Sequence, residues 1–276
     1  MVTIGVVGLG VVGGTVAEAF AAAGVPTIGY DSYQGVGSPA ELSACDVVFL
    51  CVPTPVGVDG GHDLGEVRSA MDRLVPHLRR GVIVALKSTV PPGTSDELAT
   101  SYPKLEFASV PEFLVATQPV ETFTRPDRIV IGARSGEAAT ILADLMTRVA
   151  PAAPVIVVSP TEAELVKLCA NAMLSAKVTM ANELSEITRR YGVAWARVQS
   201  VIGLDHRIGP DHLSVTPERG FGGACLPKDL AGLIAAALDA GYRPQILEAI
   251  RAFNDEVRRE AAGVIDNPAL GHPATV

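Results

Sequence analysis

The ten residues from Gly220 to Asp229, GFGGACLPKD, place one cysteine where it could act as a nucleophile. Glycines come before Cys225, and a lysine and an aspartate follow it closely. A reactive cysteine needs open backbone, nearby positive charge and access for a substrate, whereas a structural one is usually sealed among apolar side chains. The pattern therefore predicts an exposed thiol at Cys225 and chemistry through a covalent sulfur intermediate.

The other three cysteines show no such setting. Cys45, Cys51 and Cys169 have neither CxxC spacing nor histidines placed for zinc. We interpret them as buried, reduced thiols of a cytoplasmic protein. The five histidines also form no ligand cluster, so no metal site is expected.

Composition excludes several classes of protein. The 276 residues are 48% hydrophobic and 19% charged, with a formal net charge of -8. A sizeable core is expected, and neither nucleic acid nor an anionic membrane surface fits as the main partner. The N-terminus shows no basic region of the signal-peptide type, and no apolar run is long enough to span a bilayer.

A glycine motif, GLGVVG, lies between an apolar strand-like run and a helix. Gly8 permits a tight turn, Gly10 lets a pyrophosphate approach the backbone, and Gly13 allows the helix and strand to pack closely. Val11 and Val12 would open the helix, whose N-terminus faces the phosphates. The motif in this context predicts a dinucleotide site.

Asp31 lies 18 residues beyond Gly13, at the predicted end of the second strand. A carboxylate there can hold a ribose 2′-hydroxyl and repels a 2′-phosphate, which favours NAD over NADP. The alternative interpretation is an ordinary turn aspartate.

Alternation of strands and helices predicts an α/β, Rossmann-type doubly wound parallel sheet over residues 1–157. The residues after it predict an all-helical domain, 158–266, built on one long helix, and then a tail, 267–276. The predicted strands are Val2–Val7, Val25–Tyr30, Asp46–Val52, Val82–Leu86, Phe107–Val110, Ile129–Ile131 and Val155–Val158. The predicted helices are Thr15–Ala23, Glu66–Leu78, Ser135–Val149, Thr161–Tyr191, Trp195–Ile202, Lys228–Ala240 and Pro244–Ala262.

Three polar motifs follow predicted strands and so meet at the ligand-binding edge of such a sheet. They are CVPTP at 51–55, KSTVPPGT at 87–94 and VPEFL at 110–114, the last carrying Glu112. Each also has a plainer interpretation: a strand-ending turn, a helix cap or a solvated glutamate. On the long helix, Glu164, Lys167 and Asn171 share one face, which indicates either a polar stripe facing a cleft or surface decoration.

Taken in this order, the motifs resemble those of the UDP-glucose/GDP-mannose dehydrogenases, which oxidise the C6 alcohol of a nucleotide sugar to a carboxylate. The resemblance runs through GLGVVG, CVPTP, KSTVPPGT, PEFL with PDRIVIG, EAELVKLCANAMLSAKVTMANE, GLDHRIG and GFGGACLPKD. It implies two NAD molecules consumed per turnover and a small-molecule nucleotide sugar, or a related sugar phosphate, as substrate. It also implies a homodimer formed through the 161–191 helix.

The same resemblance implies roles for single residues. Cys225 would be the nucleophile, with Lys167 and Asn171 stabilising negative charge on the reacting oxygen. Asp229 would act with Lys167 in activating water or the substrate hydroxyl, and Glu112 would be the general base for thioester hydrolysis, with Thr89 positioning the water. Further cofactor contacts would come from Val52, Pro53, Thr54 and Thr89, and further substrate contacts from Phe113, Leu114, Phe221, Gly222 and Gly223.

The sequence departs from the family pattern in three places. The usual third, C-terminal domain is not within these 276 residues, the segment between Asp31 and Asp46 is short, and Ala116 stands where the family usually has a second carboxylate. Two other functions therefore stay open: a two-electron β-hydroxyacid-type dehydrogenase, which needs no thiol, and a non-catalytic remnant that binds NAD without turnover.

Overall fold

The computed structural model describes residues 2–263, so the predicted tail 267–276 lies outside the described residues. Within this range the strands are β1 (Ile4–Val7), β2 (Thr27–Tyr30), β3 (Val47–Leu50), β4 (Ile83–Leu86), β5 (Glu106–Ser109), β6 (Ile129–Ala133) and β7 (Val155–Val158). The helices are α1 (Val11–Ala22), α2 (Gly65–Leu74), α3 (Thr94–Ser101), α4 (Pro119–Thr124), α5 (Gly136–Val149), α6 (Pro160–Arg190), α7 (Trp195–Ile202), α8 (Leu226–Asp239) and α9 (Gln245–Ala261). A short 3-10 helix covers Pro39–Ala44.

The chain divides at Leu168 and Cys169 into two compact units, and α6 supplies residues to both. The domain boundary predicted at residues 157 and 158 precedes this helix. The first unit is the α/β part of the chain, and the second is helical.

The seven strands form one sheet in the order β2-β1-β3-β4-β5-β6-β7. The chain leaves β1 toward β2 on one side and returns to β3 on the other, so β1 and β3 flank the point where strand order reverses. Ligands of open α/β sheets bind at the carboxyl ends of the strands beside such a point. The Gly8–Gly13 loop follows β1, and Cys51 follows β3.

The sheet is not wholly parallel, which differs in detail from the predicted parallel sheet. β5 and β6 pair antiparallel, with Ala108 opposite Ala133, while the other neighbouring strands pair in parallel. The connection between them, residues 110–128, contains only the six-residue helix α4.

Alternation along the strands divides the apolar residues between two cores. Val6 and Phe49 belong to a cluster with Phe20 of α1, and the rings of Phe20 and Phe49 stack at 5.2 Å. Val7 and Leu50 belong to a second cluster. Because neighbouring strand residues point to opposite faces, the sheet is buried on both sides, which explains the continuous apolar runs in the sequence.

In the helical unit, the core joins α6, α8 and α9. Leu230 and Ile234 of α8 pack with Ala172 and Val178 of α6 and with Ile250 of α9. Residues 220–225 form the loop that leads to Cys225, called here the Cys225 loop. Phe221, which immediately precedes its glycine pair, is buried in the same cluster. The core therefore anchors one end of this loop. Among the described residues, no helix has the length and apolarity needed to cross a membrane.

Candidate active site

The glycine loop after β1 has the geometry that its sequence predicts. Gly8 adopts φ +83, and a side chain on it would lie 2.8 Å from the Cys51 carbonyl oxygen. A Cβ on Gly13 would lie 1.7 Å from the carbonyl oxygen of Gly8, so only glycine lets α1 cross this closely. Around Gly10, by contrast, there is open space. The loop thus leaves its outer side clear for a ligand, next to the N-terminus of α1, where Val11 and Val12 begin the helix.

Asp31 shapes this loop directly. Its Oδ2 accepts hydrogen bonds from the backbone N–H of Leu9 (2.7 Å) and from the Gln34 side chain (3.1 Å). Its Oδ1 accepts from the backbone N–H groups of Tyr33 and Gln34. Burial pushes the pKa of Asp31 upward, but these hydrogen bonds outweigh it and the pKa lies below its ordinary value. Asp31 is therefore a carboxylate at neutral pH, and its partner at the molecular surface is the Gln34 amide, which a ribose hydroxyl could replace.

The loops after β3 and β4 are joined by side chains. The Ser88 hydroxyl donates to the carbonyl oxygen of Val52 (2.6 Å), and the Thr54 hydroxyl donates to that of Thr89 (2.7 Å). Thr54 is buried. The predicted cofactor residues Val52, Pro53, Thr54 and Thr89 therefore lie on two loops that hold each other at the sheet edge.

Glu112 and Lys167 form a buried ion pair. The Lys167 Nζ lies 3.0 Å from Glu112 Oε1, and their side chains are 7% and 11% exposed, respectively. The other carboxylate oxygen of Glu112 accepts the backbone N–H of Leu114 at 2.6 Å. Two cations contact the Phe113 ring, with Lys167 Nζ 5.5 Å and the Arg128 guanidinium 4.0 Å from its centroid. Glu112 is thus held by an ion pair and a backbone hydrogen bond, and it is not the solvated glutamate of the plainer interpretation.

The sequence interpretation missed Lys87, the first residue after β4. It is buried, its Nζ lies over the Phe123 ring at 5.2 Å, and it donates to the Pro111 carbonyl oxygen at 3.5 Å. Burial lowers its pKa to about 8, and nearby Cys51 and Glu112 only partly oppose that effect while Lys167 adds to it. Only the position of a lysine at a strand end could have signalled this group in advance.

Lys87→Met should stabilise the protein at pH 7. Below pH 8 the folded chain carries a buried ammonium whose pKa lies well below the 10.5 of an exposed lysine. Between pH 8 and 10.5 the unfolded chain binds more protons, so the wild-type stability rises with pH there. At 1.36 kcal/mol per pKa unit the cost is at most about 3 kcal/mol, and methionine removes it. Urea unfolding at pH 7 and pH 9.5 tests this, because the gain should shrink at the higher pH. An equal gain at both pH values would contradict the ionisation argument.

In the helical unit, Cys225 precedes the first residue of α8 and is exposed, as its sequence setting predicts. Asp229, one turn into α8, is 1% exposed; its Oδ2 accepts from the Asn171 amide and its Oδ1 from Lys228 Nζ, each at 2.5 Å. Asn171 is buried on α6, one turn after Lys167. Within the first unit the structure pairs Glu112 with Lys167. Within the helical unit it pairs Asn171 with Asp229, one turn after Cys225.

The backbone of the Cys225 loop is held by two asparagines that the sequence interpretation did not single out. Asn182 Oδ1 accepts the N–H of Gly220 (3.0 Å), and Asn254 Oδ1 accepts that of Phe221 (2.6 Å). Both asparagines are buried, and Gly220 takes φ +59. Beyond Phe221, the N–H groups of Gly222 and Gly223 have no acceptor within residues 2–263, so they are available to a ligand.

The other thiols differ from Cys225. Cys45 is buried and Cys51 is partly buried, and burial raises their pKa values to about 11 and about 12. Both are protonated at neutral pH and poor nucleophiles. The interpretation of Cys169 as a buried thiol was wrong, because it lies on the exposed side of α6.

In the described part of the chain, no group of three or more His, Cys, Asp or Glu residues could hold a metal ion.

The fold and the glycine loop define a dinucleotide-binding α/β protein with an appended helical unit. Comparison with known families assigns it further. Residues 36–150 match the NAD binding domain of the UDP-glucose/GDP-mannose dehydrogenase family, and residues 161–256 match the central domain of that family. The chain belongs to this family, and NAD is its cofactor.

Individual relatives agree with this assignment. The chain is 38% identical over 233 residues to UDP-glucose 6-dehydrogenase AglM of Haloferax volcanii, covering 78% of this chain and 53% of that protein. It is 34% identical over 227 residues to UDP-glucose 6-dehydrogenase TuaD of Bacillus subtilis, covering 80% and 48%. The structure of a UDP-glucose dehydrogenase from Pyrobaculum islandicum superposes with a TM-score of 0.85 at 32% identity, covering 95% of this chain and 72% of that one. The chain spans about half the length of these curated relatives.

Proposed function

We propose that this protein oxidises the C6 primary alcohol of a nucleotide sugar to a carboxylate through a covalent bond to Cys225. The observation that carries the proposal is an exposed thiol at the start of α8, one turn from a buried aspartate that is hydrogen-bonded to Asn171. UDP-glucose is the first substrate to test, because the relatives named above are UDP-glucose dehydrogenases.

The proposed reaction has two oxidations and one hydrolysis. The alcohol first loses a hydride and a proton to give an aldehyde. The Cys225 sulfur adds to the aldehyde carbon, and the carbonyl oxygen takes up a proton to give a thiohemiacetal. Loss of a second hydride from that carbon and of the hydroxyl proton gives a thioester. Water then breaks the carbon–sulfur bond, which releases the carboxylate and restores the thiol.

NAD, when bound, accepts the hydride lost in each oxidation, so two NAD molecules are consumed for each acid formed. The open space at Gly10 and the close approach at Gly13 support a pyrophosphate at the glycine loop. Asp31 would hold the ribose, in exchange for its bond to Gln34. Further contacts would come from the joined loops, through Val52, Pro53, Thr54 and Thr89.

We assign proton transfer and the stabilisation of negative charge to two pairs of side chains, Glu112 with Lys167 and Asn171 with Asp229. Lys167 and Asn171 would stabilise the negative oxygen that forms when sulfur or water adds to carbon, as preorganised donors do. Glu112 would take the proton of the hydrolytic water positioned by Thr89, and its ion pair with Lys167 holds its carboxylate in place for that task. Asp229 would orient Asn171 and act with Lys167 on the substrate hydroxyl. Because Ala116 supplies no carboxylate, Glu112 carries the hydrolytic role without a second acid at that position.

Binding of the substrate would use backbone and ring contacts. The N–H groups of Gly222 and Gly223 are open to a ligand beside the buried Phe221, and backbone amides of this kind bind phosphate oxygens. In the first unit, Phe113 and Leu114 are fixed around Glu112 and would contact the sugar.

The number of NADH molecules formed per sugar tests the function. Purified protein is given limiting UDP-glucose, GDP-mannose or a UDP-N-acetyl sugar with excess NAD, and the NADH absorbance is compared with the acid formed. Two NADH per sugar supports the proposal. One NADH and no acid would indicate the two-electron dehydrogenase, and NAD binding without turnover of any sugar would indicate the non-catalytic remnant.

We further propose a homodimer formed through α6. Met173, Met180 and Ile187 recur every seven residues along this helix, and each is about half exposed or more. A helical stripe of large apolar side chains is the kind of surface that a second helix covers. Met180→Glu should convert the dimer to a monomer in sedimentation velocity, whereas Glu183→Gln, a neutralised carboxylate on the same helix, should not. A monomeric wild type would overturn this assembly.

We also propose a cytoplasmic location, because none of the four cysteines is in a disulfide.

A further inference from the structure

One side chain of the predicted polar stripe, Glu164, has no role in the reaction proposed above. It lies on α6, and it is 2% exposed. Its Oε2 accepts the backbone N–H of Gly93 (2.6 Å), and its Oε1 accepts both the N–H (2.8 Å) and the hydroxyl (2.6 Å) of Ser95. Three donors of one chain segment therefore converge on a single carboxylate from a helix about 70 residues away.

These bonds complete the N-terminus of α3. That helix starts after Gly93, which adopts φ +93 and has no side chain to cap it. A serine or aspartate at that position would ordinarily satisfy the free N–H groups. Here the cap is a buried carboxylate, and burial raises its pKa against the opposing effect of these hydrogen bonds. Burying a carboxylate costs free energy, and a short helix could be capped more cheaply by an exposed side chain. We therefore infer that the Glu164 contact has a second role besides capping α3.

The segment that Glu164 holds is the loop that carries Thr89. This loop is itself joined to the loop after β3 by the Ser88–Val52 and Thr54–Thr89 hydrogen bonds. Fixing Gly93 and Ser95 on α6 therefore limits the movement of both loops at the sheet edge. A further, longer hydrogen bond joins the same two helices, from the Thr161 hydroxyl of α6 to Asp96 Oδ2 of α3 (3.5 Å).

On α6 itself, Lys167 follows Glu164 by three residues, so the two side chains share one face of the helix. Lys167 holds Glu112 on the loop after β5. We propose that Glu164 is a positioning residue: it fixes the cofactor-side loops to the turn of α6 that carries Lys167, so that NAD binds to a prearranged sheet edge. This inference rests on the proposed function only for its assignment of Thr54 and Thr89 to the cofactor side.

The test is the equilibrium affinity of folded variants for NAD, measured by calorimetry well below their unfolding temperatures. Glu164→Ala should weaken NAD binding about tenfold, the equivalent of roughly one lost charge-assisted hydrogen bond. Glu164→Gln keeps the size and one acceptor oxygen, so its loss should be smaller, about threefold. Two controls should bind as the wild type does. Glu162→Gln neutralises an exposed carboxylate in the same turn, and Asp96→Asn weakens the first turn of α3 without touching Gly93 or Ser95.

Each outcome bears on the inference separately from the function. If Glu164→Ala is folded and binds NAD as tightly as the wild type, Glu164 is only a helix cap and the inference is overturned. If Asp96→Asn weakens NAD binding as much as Glu164→Ala, the stability of α3 and not the Glu164 contact controls the site, which also overturns it. A wild type that binds NAD but oxidises no nucleotide sugar would contradict the proposed function and leave this comparison intact. A wild type that does not bind NAD would contradict both the proposed function and the inference about Glu164.

Discussion

Cys225→Ala should abolish acid formation, with a loss of at least about a thousandfold, because no other group can form the proposed thioester. The residue is exposed and precedes α8, so the variant should unfold at the same urea concentration as the wild type. NADH formation should fall to no more than one molecule per sugar. The measurement is the acid formed per NADH, by chromatography and absorbance, with limiting UDP-glucose.

Cys169→Ala is the matched control, because Cys169 is also an exposed thiol in the helical unit. It should keep full activity. Cys225→Ser keeps a hydroxyl in the same place, and a slowly hydrolysed ester detected by mass spectrometry would place the covalent bond at this residue. Acid formation at the normal rate by Cys225→Ala would show that the sulfur mechanism is wrong, whatever the substrate.

Much of the α/β fold could be predicted because its signals are local. Strands buried on both faces read as continuous apolar runs, and β7 and α7 have the predicted bounds, Val155–Val158 and Trp195–Ile202. The predicted start of α1 at Thr15 was wrong by four residues. Val11 and Val12 are already helical, since a helix that presents its N-terminus to a ligand begins directly after the glycine turn.

The elements that the sequence did not reveal depend on contacts from distant residues. α3, with the sequence TSDELATS, has little apolar periodicity, and its N-terminus is capped by Glu164 from far along the chain. The antiparallel pairing of β5 with β6 leaves no mark on either strand, because pairing direction is set by the connection between them.

The candidate site shows the same division. Residue types and spacing were enough to indicate the glycine loop, Cys225 and the polar stripe of α6. They could not indicate that Lys87 is buried over the Phe123 ring, or that Asn182 and Asn254 hold the Cys225 loop, because a lone lysine or asparagine is ordinary in sequence. Burial and partners, which only the fold provides, turn such residues into candidates for function.

Lys167→Met should lower both stability and activity, and the two effects can be separated. The substitution leaves the Glu112 carboxylate, 11% exposed, without its cation. Breaking a buried ion pair by removing one partner typically costs about 3–5 kcal/mol, because the remaining charge is uncompensated. Catalysis should fall at least about a hundredfold if Lys167 also stabilises negative oxygen in the reaction. Urea unfolding and kcat/KM at saturating NAD measure the two losses.

The double variant Lys167→Met/Glu112→Gln distinguishes structure from chemistry. The neutral glutamine can still accept the Leu114 N–H, and neither member of the pair remains charged, so stability should return to within about 1 kcal/mol of the wild type. Activity should stay as low as in the single variant or lower, because both proposed charge-bearing groups are gone. A double variant with restored activity would show that the pair only holds the loop after β5 in place. A single variant as stable as the wild type would show instead that water replaces Lys167 beside Glu112, and that the pair is not buried in solution.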